Sequence, residues 1–444
     1  MFEAVDDHKR VLLRDIAEPS NGAFVDGPFG SNLKSDEYVE AGVRLIQLQN
    51  IGEGYWKDDN KKYITDLKFK SLSRHGAIPG DIAIAKMADP VARACIVPFG
   101  QEQYVVVADC IRLRVDKARF DPRYIVRAIN SHATRREAER KSIGSTRIRI
   151  NLGTLKTVGC LVPPLRQQQA IAETLDTLDT TIRQTEAIIE KLKQVKQGLL
   201  HDLLTRGIDA SGELRPVHSQ APHLYKDSPL GWIPREWEVC GVLDIAPADR
   251  QCILTGPFGA QLGQADFVAE GVPVLRIGNV QAGFIDWSDV QCVTQAKADR
   301  LKRFSVLTGD LLFARQGATT GRNALADDRS NGALINYHII RVAVDRERCE
   351  PVYLHALFNS DQSKGQVDQE KGRGTREGIN SKQIASLRFA LPPIEEQRMS
   401  VARMTALSMS MDAESMLVEK LRLQKSGLMD DLLTGRVRVT PLLA

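Results

Sequence analysis

The sequence is missing what several classes of protein require. Its 444 residues hold no run near the ~18 unbroken apolar residues of a membrane-spanning helix. The N-terminus, MFEAVDDHKR, places three acids before its first lysine and no apolar segment behind it, so no signal peptide is expected. Cysteine is sparse: seven residues, at 95, 110, 160, 240, 252, 292 and 349, form no CxxC pair. Such an odd, scattered set reads as reduced cytoplasmic thiols serving as small buried side chains. The eight histidines form no pair at metal-binding spacing. Neither charge dominates, with 60 Lys and Arg against 56 Asp and Glu, which excludes a polycation but leaves room for local basic surfaces.

Catalytic signatures are missing as well. The Walker A pattern, a GxGxxG between strand and helix, GxSxG, HExxH and zinc-type Cys/His sets do not occur. There is also no Asn-Pro-Pro-aromatic tetrapeptide of the kind expected where an amino-methyltransferase holds its base. The expectation is a non-catalytic chain that binds no metal or cofactor itself. With 43% apolar and 26% charged residues the composition is globular, and the length suits two to four domains.

What the chain does contain, it contains twice. Gly27-Pro28-Phe29-Gly30 returns 229 residues later as Gly256-Pro257-Phe258-Gly259. The same offset recovers Gly80-Asp81 at Gly309-Asp310, Arg93 at Arg322 and Asn130-Ser131 at Asn359-Ser360. It also recovers Ile150-Asn151 at Ile379-Asn380, Pro163-Pro164 at Pro392-Pro393, Gln168 at Gln397, and Asp202-Leu203-Leu204-Thr205 at 431–434. An ordered series at one offset is a duplication.

Each copy begins with short β-branched runs bounded by Gly, Pro or Asp, such as Val43–Leu48, Asp81–Ala85 and Tyr104–Val107, which read as strands. Pro122 to Ser131 reads as a helix with proline in its first turn. Each copy ends in a long helical pattern. Ile171, Leu175, Leu178, Ile182, Ile189, Leu192, Leu199 and Leu203 recur in steps of four and three, with Thr185 and Lys196 as polar interruptions. The second seam runs Met404, Leu407, Met411, Val418, Leu421, Leu428 and Leu432, with Ser400, Glu414 and Lys425 as its exceptions. These are coiled-coil seams, and each is the obvious partner of the other. About 40 residues at ~1.5 Å rise make rods of roughly 60 Å.

The expected architecture is therefore a pair of mixed α/β (α+β) domains, duplicated and joined by two long antiparallel coiled-coil helices. Its boundaries are 1–164 for the first globule, 165–205 for the first helix and 206–236 for a linker rich in Pro, Gly, Ser and His. They continue with 237–393 for the second globule, 394–434 for the second helix and 435–444 for a tail.

Two similar globules on rods suggest a molecule that reads two places on one ligand, and basic clusters favour nucleic acid. Residues 134–149 carry six Lys and Arg against two Glu, and a Gly-rich stretch at 364–378 carries Lys364, Lys371, Arg373 and Arg376. A charge run by itself is usually a solvated face, but here both runs precede the same Ile-Asn. Ser145, Thr146, Arg147 and Arg149, and in the second copy Arg373, Thr375 and Arg376, can offer hydroxyl and guanidinium groups to phosphates and base edges.

Further contact candidates are Lys34, Arg44, Gln47, Gln49 and Asn50, with Arg276 and Asn279 in the second copy, although strand-end Gln and Asn often serve only as loop caps. Lys86 and Arg315 follow the Gly-Asp strands, and Arg93 and Arg322 lie seven residues on. The GPFG tetrapeptides fit either phosphate-approaching turns or tight turns with Phe packed beneath them.

These features together resemble the specificity subunit of type I DNA restriction–modification systems. The resemblance rests on the GPFG turns, the Gly-Asp strands, and the joins LVPPLRQQQAIAE (161–173) and ALPPIEEQRMSVA (390–402). LGWIPREWEV (230–239) and the helix ends HDLLTRGI and DDLLTGRV also fit. It spans essentially the whole chain. The departures are Gln167 where Glu396 stands in the second join, and a first copy that starts at Val11-Leu12-Leu13 without the LGWIPREWEV lead-in.

The resemblance implies a non-catalytic, cytoplasmic scaffold whose two target recognition domains each read half of a split site in double-stranded DNA. Its helices would set the gap and dock two methyltransferase subunits carrying S-adenosylmethionine. An endonuclease/translocase subunit using ATP and Mg would join them. A self-standing adenine methyltransferase with duplicated recognition domains is the alternative, weakened by the missing tetrapeptide and cofactor loop. A coiled-coil spacer with two protein-binding modules is a third reading, which steeply salt-dependent DNA binding would exclude.

Overall fold

The computed structural model describes residues 8–28, 32–87, 90–144, 148–316, 320–371 and 378–437. Backbone contacts divide the chain into two units, residues 1–187 with 415–444, and residues 188–414. The division differs from the sequence-based one, because it cuts both long helices. Each helix begins in one unit and ends in the other.

In unit 1, Phe24–Asp26, Cys110–Leu113, Ile82–Ala85 and Ala94–Ile96 form an antiparallel four-stranded sheet, in that order. Tyr63–Ile64, Val43–Ile46, Tyr104–Val106 and Gly76–Ala77 form a second sheet, in which Val43–Ile46 and Tyr104–Val106 run parallel. Val43–Ile46, Ile82–Ala85, Tyr104–Val106 and Cys110–Leu113 are buried at every position, which explains why they do not alternate apolar with polar residues. Unit 2 repeats the plan. Ile253–Thr255, Ile339–Val342, Leu311–Ala314 and Asn323–Leu325 make one sheet, and Phe267–Val268, Gln291–Val293, Val272–Leu275 and Leu334–Ile335 the other. The helix Pro122–Asn130, capped by Asp121 and with Pro at its start, covers the first sheet in unit 1; Pro351–Phe358 is its counterpart.

The repeated polar residues turn out to be fasteners. Gln168 is buried in the first long helix. Its carboxamide accepts from the Asp121 backbone N–H at 2.9 Å and donates to the Pro163 and Arg119 carbonyls at 2.8 and 3.3 Å. Gln397 does the same in unit 2, accepting from the Glu350 N–H and donating to the Pro392 and Arg348 carbonyls, each at 2.9 Å. Asp81 and Asp310 lie beside the buried Arg112 and Arg341 and accept from the backbone N–H of Ile78 and Leu307. Asn151 and Asn380 cap the short helices Leu152–Leu155 and Ser381–Ser386.

The long helices run from Leu165 to Thr205 and from Ile394 to Thr434, each passing through its single glycine without a break. In unit 1 the start of the first helix packs on the end of the second. Ile171, Leu175 and Leu178 join Leu428, Leu432 and Leu433 in one core. The seam lysine Lys425 reaches Asp179 at 2.5 Å, and Arg422 reaches Glu186 at 2.6 Å, so the two segments run antiparallel. In unit 2, Leu199 and Leu203 share a core with Val401 and Met404.

Glu396, where the first copy has Gln167, has a structural cause. It is buried, and it accepts from Arg215 at 2.5 and 2.9 Å, from the Trp237 indole at 3.1 Å and from the Ile208 N–H at 3.0 Å. It thus anchors both ends of the linker to unit 2, with Arg215 near the linker's start and Trp237 at its exit. Tyr225–Lys226 and Ile233–Pro234 pair within that linker. Removing one partner of a buried ion pair typically costs about 3–5 kcal/mol. Glu396→Ala is therefore expected to lower the urea midpoint of unit 2, followed by tryptophan fluorescence, while Gln167→Ala leaves it nearly unchanged.

Candidate nucleic-acid interface

Four segments meet in each unit at equivalent positions. They are the first residues of the GPFG turn, the residue after the Gly-Asp strand, the loop before Cys110–Leu113 (before Ile339–Val342 in unit 2), and the stretch before Ile-Asn. In unit 1, Gly27 donates its N–H to the Cys110 carbonyl at 2.9 Å. A Cβ built on Gly27 would lie 1.9 Å from the Val107 oxygen, and one on Gly256 would lie 2.2 Å from the Asn336 oxygen, so only glycine permits this approach.

Backbone therefore fills the space beneath the turn, and the expectation of Phe packed there is corrected: Phe258 is 58% exposed. Phe29 lies outside the described residues.

The side chains at this junction differ between the units. In unit 1, Lys86 is buried and contacts Asp26 and the Ala108 carbonyl, both at 3.3 Å. Arg149 is exposed and pairs with Asp109 at 2.6 Å, and Met87 and Ile143 each bridge to Arg149 through the backbone. Two basic groups face two carboxylates. In unit 2 the equivalents are Arg315, Thr255, His338 and Gly378, so neither carboxylate is present. Arg315 donates to the Tyr337 carbonyl at 3.2 Å, and its guanidinium carbon lies 5.7 Å from the centre of the Phe258 ring. Burial holds its pKa below the usual arginine value, yet a guanidinium stays charged at neutral pH.

A second group of predicted residues lies in another loop. Arg44 is buried, pairs with Asp58 at 2.5 Å and stands 5.2 Å over the Trp56 ring. Hydrogen bonds from Lys61, Arg44 and Trp56 hold the Asp58 carboxyl well below the usual range. Asn50 is fully buried; it accepts from the Gln47 N–H and donates to the Lys57 and Asp59 carbonyls at 3.1 and 2.8 Å. Asn279 repeats that pattern with the Arg276 N–H and the Asp286 and Asp289 carbonyls. Arg93 ties the carbonyls of Leu48, Ile51, Met87 and Pro90 together.

Arg44, Asn50, Lys86, Arg93 and Asn279 thus hold loops together and are engaged inside their units. Gln47 accepts from Asn60, and Arg276 pairs with Asp289. Exposed are Lys34, Gln49 and Arg322, the last reaching Gln281 at 3.2 Å. Ser145, Thr146, Arg147, Arg373, Thr375 and Arg376 lie outside the described residues.

Among the described residues no group of His, Cys, Asp and Glu could hold a metal. Among the described residues no helix is long and apolar enough to cross a membrane. The cysteines are packing residues: six of the seven are buried, and burial pushes the Cys95 and Cys160 thiols up to about 12.

The family model for the type I restriction modification DNA specificity domain matches residues 55–194 and again 234–421. The chain belongs to this family. It is a non-catalytic DNA-specificity subunit, and nothing favours a self-standing methyltransferase. Among curated relatives, the type I restriction enzyme MjaVIII specificity subunit of Methanocaldococcus jannaschii is 21% identical over 91% of both chains. The EcoKI specificity subunit of Escherichia coli K12 is 25% identical, over 85% of this chain and 76% of the relative. A solved chain from a type I R-M system shares the fold with a TM-score of 0.58 at 13% identity, covering 98% of this chain and all of that one.

Sequence comparison of the copies searched for matches, and so missed Asp26, Asp109, Thr255, Tyr337 and His338. Their signal was a mismatch inside a matched frame. The carboxylates make a testable case. Asp109→Asn frees Arg149 for a phosphate, and each added phosphate contact steepens the salt dependence of DNA binding by ~0.9 in the log–log slope. Fluorescence anisotropy across a salt series on non-cognate duplex is expected to show that increase.

Proposed function

We propose that each unit of this specificity subunit reads one half of a split target in double-stranded DNA, and that the two half-sites differ. The supporting observation is the repeated junction: the same four segments converge in both units, while the residues they present change from Lys86, Asp26 and Asp109 to Arg315, Thr255 and His338. A shared framework with different side chains suits two related recognition tasks on different sequences. Base edges are what such side chains can distinguish, since phosphates are the same everywhere.

The long helices dock two methyltransferase subunits, which carry S-adenosylmethionine, and an endonuclease/translocase subunit using ATP and Mg completes the assembly in the cytoplasm. The specificity chain contributes recognition and placement to that assembly. Its own requirement is that the half-sites be held at a fixed separation, and two continuous helices are a means of fixing it.

The test changes helix length at equivalent points. Inserting about four residues after Lys193 and after Arg422 lengthens each helix by ~6 Å at 1.5 Å per residue. That is nearly two base-pair steps of ~3.4 Å. Methylome sequencing of cells carrying the inserts with the partner methyltransferase is expected to show a changed non-specific gap between unchanged half-sites. Altered half-sites at a constant gap would leave the helices as docking surfaces only.

A further inference from the structure

The junction in unit 2 carries a cluster that unit 1 lacks. Phe258 and Tyr337 are 58% and 39% exposed, and their ring centres lie 5.9 Å apart. Tyr337 packs on the His338 imidazole at 3.7 Å. The position of Tyr337 is Ala108 in the first copy, and that of His338 is Asp109. Large exposed aromatic rings that pack on one another present a firm apolar ledge with little side-chain entropy left to lose.

Polar groups flank this ledge. His338 Nδ1 lies 2.5 Å from Gln316 Oε1. An amide oxygen only accepts, so the proton sits on Nδ1 and the neutral ring keeps its lone pair on Nε2. Burial, and then the charge of Arg315, lower the His338 pKa and favour that neutral ring. Arg315 spends Nη1 on the Tyr337 carbonyl, and no hydrogen bond engages its Nη2 among the described residues. The three features are an apolar ring face, one acceptor and one cationic donor.

The major-groove edge of an A·T pair carries the complement of all three: the thymine methyl, the adenine N6 amino donor and the thymine O4 acceptor. A G·C pair also offers an amino donor and a carbonyl acceptor but has no methyl. We infer that Phe258, Tyr337, His338 and Arg315 form the base-reading element of unit 2 and that it selects an A·T pair through the thymine methyl. The inference rests on the DNA-recognition reading above and adds the residues and the base pair.

The test uses the specificity chain in complex with its partner methyltransferase, on duplexes carrying the methylome-mapped site. Deoxyuridine, which lacks the methyl, replaces thymidine one position at a time. A second set replaces deoxyadenosine by the purine deoxynucleoside without the N6 amino group. At one A·T pair of one half-site, each replacement is expected to weaken binding roughly tenfold, within the range for a single base contact. Tyr337→Ala should weaken binding to the intact duplex by a similar factor and add nothing on the deoxyuridine duplex, while Tyr337→Phe should retain wild-type discrimination. His338→Ala should erase the penalty of the missing amino group.

Full affinity with deoxyuridine at every thymidine would overturn the ledge while leaving DNA recognition intact, as would a Tyr337→Ala loss that ignores the methyl. A wild-type complex that binds no duplex specifically would reject the DNA reading, and the ledge with it.

Discussion

A buried carboxamide at the head of each long helix fixes the rest of the structure in place. Gln168 and Gln397 each bond three backbone groups where the last strand of a globule turns into a helix. A buried polar group left without partners costs ~1–3 kcal/mol, so an amide with three partners permits few alternative geometries. The helix cannot swivel at its root without breaking those bonds. Whatever the globule presents to DNA is therefore held rigidly with respect to the helix that follows it.

This explains what was legible in the sequence. The motifs that repeat at a fixed offset are the fasteners: the Pro-Pro join with its Gln, the Gly-Asp turn facing a buried arginine, the Asn cap after Ile, and the glycine of GPFG pressed against a neighbouring backbone. Apolar runs gave the strands, and the four-three seam gave both long helices. The same signal does not separate contact residues from internal ones. Arg44, Asn50, Lys86 and Asn279 have the chemistry of base readers, but that chemistry is spent on carbonyls and carboxylates inside the fold. Side-chain type does not reveal whether a donor's partner is internal.

Residues that vary between the copies carried the complementary information. Asp26 and Asp109 balance the basic groups in unit 1, whereas Thr255 and His338 stand at those positions in unit 2 and no carboxylate pairs with Arg315 among the described residues. One scaffold therefore presents two electrostatic surfaces, which suits the proposed reading of two different half-sites. Glu396 belongs to the same class of difference, but its cause is internal, since it seats the linker through Arg215 and Trp237. Separating the two kinds of variation required knowing which side chains are buried.

The central claim is that two units with a common frame read two unlike half-sites. It is tested most directly by methylome sequencing of cells that express the unaltered chain with its partner methyltransferase, against cells lacking the chain. The account predicts one methylated target made of two different specified segments separated by unspecified bases. A single contiguous target, or two identical segments, would contradict it.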